Sequence, residues 1–210
     1  MTRRLLVPVL GFSLTLSGLA FAGTEIKESK PVVVETPFDK GKHEFQLGVG
    51  AFANIQQTSD RRPDFADIDV TLRWGVMLND PSGDGFFRGN FEFLIEAYGA
   101  ALIEGPGTGY AGAALMIRYN FVQPDSNLVP YFQIKAGGVY NDIYQDDVQR
   151  VFGEAFEFDL GAGLGLRYLF NDQVALFIEG DFRHISNANF GSRNYGLNAL
   201  GGFAGVSWFF

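Results

Sequence analysis

From His43 to Phe210, apolar side chains recur at every second position in eight successive runs, and this period-2 pattern leaves little choice of secondary structure. Successive side chains on a strand point to opposite faces, so each run presents one greasy face and one face of another kind. The runs cover residues 45–55, 68–78, 87–97, 111–121, 132–140, 156–170, 174–182 and 197–210, the fifth being the weakest. What occupies the second face narrows the architecture. A sandwich facing water would favour Lys, Glu and Thr there, whereas this chain places glycine and charges of both signs: Arg88, Glu92, Glu96, Arg118, Glu157, Asp159, Arg167, Glu179, Asp181 and Arg183. Such a face suits a crowded barrel interior in which charges neutralise one another. Runs of about 10 to 16 residues exceed the usual soluble strand of about 5 to 6 and match the roughly 9 to 11 that a tilted strand needs to cross a bilayer. An even count of eight closes without edges, as lipid demands. The expected fold is all-β, an eight-stranded antiparallel transmembrane β-barrel of the outer membrane over residues 43–210.

The links agree with that expectation. Tight, turn-rich connections at 79–85, 122–128 and 171–173 alternate with longer ones at 55–65, 143–153 and 187–196; only 104–108 is brief out of turn. In outer-membrane barrels short turns face the periplasm and long loops face outward, which puts both ends of this barrel in the periplasm. Eight strands enclose a space that side chains fill, so the expectation is a plugged barrel and no pore. The terminal Trp208-Phe209-Phe210 reads as an aromatic belt residue set and as a C-terminal signal, through Phe210, for the outer-membrane assembly machinery.

Upstream, Arg3 and Arg4 precede an apolar stretch at 5–19 and the small-residue site Ala20-Phe21-Ala22, the pattern of a cleaved signal peptide over residues 1–22. Residues 23–42, with two prolines and eight charged side chains, read as a flexible periplasmic segment. The 210-residue chain has no cysteine and two histidines, which sets aside disulfides, thiolate chemistry and an all-protein zinc site; no cofactor is expected. A formal net charge of -8 has the wrong sign for a nucleic-acid binder.

One run breaks its own pattern. Residues 174, 176, 178 and 182 form the greasy face of the seventh segment, and the same parity continues to His184 and Ser186. Residues two apart on a strand project in parallel at about 6.6 Å, close enough for an imidazole to meet a hydroxyl. Ser186 and His184 are therefore a candidate nucleophile and base on the lipid-facing wall, near the outer leaflet. A bare His-x-Ser is also what two interfacial residues would look like. His43 reads as a rim residue, and Gly105-Pro106-Gly107 as a bend between strands that opens no helix.

The longer stretch His184-Ile185-Ser186-Asn187-Ala188-Asn189-Phe190, followed by Asn194-Tyr195-Gly196-Leu197-Asn198, resembles the active-site segment of the PagL family of lipid A 3-O-deacylases. That resemblance implies an outer-membrane serine esterase acting on lipopolysaccharide in the outer leaflet, with Ser186 as nucleophile and His184 as general base and acid. It also implies Asn187, with the backbone around Ala188 and Asn189, as the oxyanion-stabilising group. At one position the sequence departs: the glutamate that orients the histidine in the family falls at Asn198. Asn198 shares the outward parity of Leu200, Ala204 and Val206 and so stands within reach of His184. A neutral amide, however, does not stabilise an imidazolium by charge, and asparagine in place of a serine-protease triad carboxylate lowers turnover about 10⁴-fold. The alternative reading is an inert or weakly active barrel that binds lipopolysaccharide or is structural. Arg61-Arg62 in the first outward loop reads as a solvated pair or as a seat for lipopolysaccharide phosphates.

Overall fold

A computed structural model describes residues 36–55, 59 and 61–210; the expected signal peptide over 1–22 and most of the segment 23–42 lie outside the described residues. Eight strands follow in chain order: β1 His43–Asn54, β2 Ala66–Met77, β3 Asn90–Glu104, β4 Gly109–Asn120, β5 Leu128–Asn141, β6 Phe156–Leu169, β7 Val174–Ser186 and β8 Leu197–Phe209. Each pairs antiparallel with its sequence neighbour, and β1 pairs with β8 to close the barrel. Closure is fastened where His43 and Phe210 exchange both backbone hydrogen bonds, with the His43 ring stacked between Trp74 and Phe210.

The alternation runs round the whole barrel in register. Outward positions carry residues such as Leu47, Val70, Ile95, Leu115, Ile134, Leu164, Ile178 and Leu200, all exposed. Among the described residues no outward strand position carries Lys, Arg, Asp or Glu except Glu104, exposed at the very end of β3 beyond a bulge, and Tyr, Trp and His43 on this face lie toward strand ends. That is the surface lipid requires, since a charge at the bilayer midplane costs up to about 2–4 kcal/mol. Water would penalise the same surface.

The inward face is a paired-charge network. Arg73 meets Glu96 at 2.8 Å and Glu179 at 2.6 Å. Arg118 and Arg167 both meet Glu44 and Glu92, Lys135 bridges Glu96 and Asp159 at 2.9 and 3.0 Å, and Arg183 pairs with Asp69. Tyr98, Tyr110 and Tyr131 donate their hydroxyls to Asp159, Asp67 and Glu179. Burying charges is tolerable only when partners compensate the lost water. Here Arg73, Arg118, Lys135, Arg167 and Arg183 each have a carboxylate partner, while one oxygen each of Glu92, Asp159 and Asp181 is left without a hydrogen bond among the described residues. Side chains fill the lumen; a cavity beside Arg73, Gln133 and Asp181 measures about 10 Å³, room for one water.

Two sequence expectations need correction. Arg88 is not a lumen residue: it lies in the β2–β3 link, half-buried, and donates to the Val122 carbonyl. The third strand starts at Asn90, so Phe87 belongs to a short 3₁₀ turn, Gly85–Phe87, in a twelve-residue connection spanning 78–89. Phe86 stacks on Phe121 there, and an aromatic pair seated at the barrel rim imitates the start of a strand in the sequence. Ahead of β1, residues 36–42 pack onto the barrel: Phe38 is buried against Phe209, Met77 and Val129, and Asp39 accepts from the Thr36 hydroxyl and N–H. Phe38 thus stoppers the barrel at the end where β1 begins. At the far end the stopper is Phe65, Ile143, Val151, Phe152, Ile185 and Leu197, drawn from two of the four connections on that side and from β7 and β8 beneath them.

Candidate active site

The far end of β7 carries the site. His184 pairs directly with Asn198 across β7–β8, and the strand register alone brings the two side chains to the same outward point. His184 Nδ1 lies 2.7 Å from Asn198 Oδ1, and His184 Nε2 lies 2.9 Å from Ser186 Oγ. With the amide oxygen accepting from Nδ1–H, Nε2 is left as an acceptor for the serine hydroxyl proton, the tautomer a general base needs. All three residues are half-buried. On β6, Phe158 stands opposite Ser186 and Leu160 opposite His184, and Phe190 reaches over to Phe158 at 6.0 Å between ring centroids. The relay therefore lies on an apolar outer wall, flanked by Phe182 and Leu200 one step down.

The connection beyond Ser186 turns sharply. Ala188 and Asn189 both adopt left-handed backbone, φ 52° and 66°, at a cost of roughly 1–2 kcal/mol for the alanine, while asparagine tolerates that region better. Strain of that size persists where surrounding contacts over-determine it. Asn187 supplies several: it is buried, its side-chain oxygen accepts from Asn189 N–H at 3.0 Å, and its side-chain nitrogen donates to Arg193 O at 2.8 Å. Strand parity turns Asn187 inward, away from the wall on which Ser186 stands. Of the three residues expected at an oxyanion position, Asn187 and Asn189 spend their N–H groups inside the loop, and Ala188 N–H has no hydrogen-bond partner among the described residues.

Gly196 was legible in the sequence only as part of a motif, with no role attached. It takes φ 68°, and a Cβ there would meet His184 Cε1 at 3.2 Å and Ser186 Cβ at 3.4 Å. Glycine lets the β7–β8 loop pass directly over the imidazole. The loop is also tied sideways: Tyr195 N–H and Gly196 N–H donate to Arg150 O and Val151 O, and the Arg193 guanidinium donates to the carbonyls of Tyr144 and Asp146. Arg62 lies over the Tyr195 ring at 4.9 Å, and Arg61 O accepts from Arg150 N–H. The arginine pair singled out in the sequence thus borders the loop that covers the histidine. His43 stays at the opposite end, and Gly105 and Gly107 lie in the β3–β4 turn with φ 115° and 92°. Among the described residues no group of three or more His, Asp or Glu is arranged to hold a metal ion.

The closed eight-stranded antiparallel barrel with an apolar outer wall places the chain in the class of outer-membrane β-barrels. Its sequence from 66 to 207 matches the family described as lipid A 3-O-deacylase (PagL), and the chain belongs to that family. Among solved structures it is similar to the outer membrane enzyme PagL, with 16% identity and a TM-score of 0.53, covering 77% of this chain and 97% of that one. It is also similar to Neisserial surface protein A, with 14% identity and a TM-score of 0.56, covering 81% of this chain and 100% of that one. These likenesses concern the fold. No curated protein sequence matches the chain.

Proposed function

We propose that the chain is an outer-membrane serine esterase that removes an ester-linked 3-O acyl chain from lipid A, with Ser186 as nucleophile, His184 as base and Asn198 as orienter. The single observation that carries the reading is the continuous relay Asn198 Oδ1, His184, Ser186 Oγ on the apolar outer wall, in a chain of the lipid A deacylase family. A substrate held in a leaflet meets its enzyme sideways, and an outward-facing relay is where such a substrate arrives. In the first step Ser186 Oγ attacks the ester carbonyl while its proton passes to His184 Nε2. Collapse of the tetrahedral species releases the sugar 3-oxygen, which takes that proton, and leaves an acyl-serine. Water then repeats the sequence, releasing a fatty acid and restoring Ser186. The backbone N–H of Ala188 stabilises the oxyanion in this reading.

The connections support one orientation, with the twelve-residue β2–β3 link at the opposite end as the exception. Three of the four links at the active-site end are long, and both barrel ends lie at the other; in outer-membrane barrels this puts the site at the outer leaflet and Phe210 on the periplasmic side, available to the assembly machinery. Arg61 and Arg62, beside the covering loop, suit the phosphates of lipopolysaccharide. A second reading, a barrel that binds lipopolysaccharide without cleaving it, is favoured by one observation, the amide at position 198.

Mass spectrometry of lipid A from cells expressing the wild-type chain or Ser186→Ala tests the proposal. Loss of one hydroxyacyl mass with the wild type alone, both proteins being folded by heat-modifiable gel mobility, is the expected result. Unchanged lipid A in both overturns the esterase and leaves the binding barrel.

A further inference from the structure

The strained turn after the nucleophile is bracketed by one side chain. Asn194 Oδ1 accepts from Asn187 N–H at 2.9 Å, and Asn194 Nδ2 donates to Asn189 Oδ1, also at 2.9 Å. The two bonds reach the residues on either side of Ala188, from a position five to seven residues further along the loop. Asn187 adds an inner tie by accepting from Asn189 N–H, and Arg193 O takes the Asn187 amide. Every amide these ties engage is consumed, and the run keeps Ala188 N–H, two residues past Ser186, without a partner among the described residues. A turn of exposed left-handed residues that is anchored through buried Asn187, spends its neighbours' donors and spares one is built to hold that donor still. Asn194 itself touches neither Ser186 nor His184 in any hydrogen bond of the structure.

We infer that Asn194 is a positioning residue for the esterase step: its amide clamps the 187–189 turn so that Ala188 N–H meets the negative charge that develops on the substrate carbonyl oxygen. This rests on the esterase reading above. It separates two jobs that the sequence assigned to one place. Asn187, facing inward, is scaffold, and the donor is the backbone of Ala188. Because the oxyanion exists only after attack begins, a misplaced donor lowers turnover and leaves ground-state binding alone.

The test uses the folded full-length barrel in detergent, with lipid A as substrate and a fluorophosphonate as a probe of Ser186. Asn194→Ala is expected to lower kcat about 10²-fold, the scale of one lost oxyanion donor, with KM within twofold of wild type. Fluorophosphonate labelling should slow in parallel, since that reaction also loads charge onto an oxygen. Asn194→Asp keeps the acceptor for Asn187 N–H and should recover most of the loss. Asn194→Gln, which carries the same amide one methylene further out, should not, and it stands in for the alanine variant if that chain does not fold. An Asn194→Ala enzyme within twofold of wild type in kcat, a change confined to KM, or an Asp variant no better than Ala or Gln overturns the inference. A wild-type chain that neither deacylates lipid A nor reacts with the probe overturns the esterase reading and this inference together, and is recognised because the failure is then not confined to the variants.

Discussion

The lumen and the outer wall of this barrel solve the same problem in opposite ways. Inside, buried carboxylates and cations are packed against one another, with Arg118 and Arg167 sharing Glu44 and Glu92 out of contact with solvent. Outside, the hydrogen-bonded relay is made of a serine, an imidazole and an amide, none carrying a fixed charge. A charge in the lumen finds a counter-charge from a facing strand, whereas a charge on the wall finds lipid. The difference gives Asn198 a physical context. An amide oxygen orients the imidazole as a carboxylate would, without placing an anion on a surface whose strands carry none apart from Glu104 at the very end of β3.

The comparison breaks most visibly if lumen charges prove dispensable. Arg167→Ala strips Glu44 and Glu92 of one shared cation and should destabilise the barrel by about 3–5 kcal/mol, the usual penalty for leaving a buried charge unpaired. Loss of the heat-resistant folded band at lower temperature or lower urea would register it. A variant as stable as wild type would mean that the lumen is wetter than a 10 Å³ cavity allows. On the wall, Gly196→Ala should cost about 10- to 10²-fold in turnover with a smaller change in stability. It forces a side chain into left-handed backbone and against the imidazole at 3.2 Å, and small displacements of a base are expensive. Full activity in that variant would show that the loop does not constrain His184.

Most of the wall and lumen was legible in the sequence because period-2 alternation states which face each residue takes, whatever the neighbouring strand. The outward parity of His184, Ser186 and Asn198 follows from counting, and so does the inward fate of Glu92, Arg118 and Arg183. What counting cannot reach is anything set by the connections. Phe87 and Arg88 alternate as a strand would, yet Gly83 and Gly85, at φ 90° and 58°, bend the chain before β3 begins. Phe38 sits in a charged, proline-containing stretch and is nevertheless buried, because the open end of a barrel needs a stopper and one aromatic residue suffices. Asn187 reads as an active-site residue by proximity in the chain, and only the loop geometry reveals that its amide is spent on Arg193.

Asn198→Glu sharpens the comparison from the other side by putting the anion on the wall. If turnover is limited by the imidazolium formed when Ser186 gives up its proton, a carboxylate at 2.7 Å from Nδ1 should raise kcat about tenfold or more, at a stability cost of about 1 kcal/mol or less near the interface. A rate unchanged or lowered, measured on lipid A in detergent, would show that the amide is already a sufficient orienter.

The smallest effect concerns a charge that belongs to neither region. Asp142, at the far end beyond β5, has no cation partner among the described residues. It accepts from the Thr108 hydroxyl at 2.6 Å, from Thr108 N–H at 2.9 Å and from Gly109 N–H at 3.1 Å, and so ties down the turn between β3 and β4. Slight burial pushes its carboxyl up, but those donors outweigh it and hold the group below the ordinary carboxylate range. A depressed carboxylate contributes stability that is present above its unfolded value, about 3.9, and is lost as pH falls through the folded value. Asp142→Asn should therefore melt slightly below wild type at pH 7, and the gap should close on acidification through and below pH 4. A gap that stays constant with pH would mean that the turn needs the shape of the side chain and not its charge. A gap that closes would show that an unpaired anion is sustained on this barrel by N–H and O–H donors where the chain meets water, the environment that the wall at Asn198 lacks.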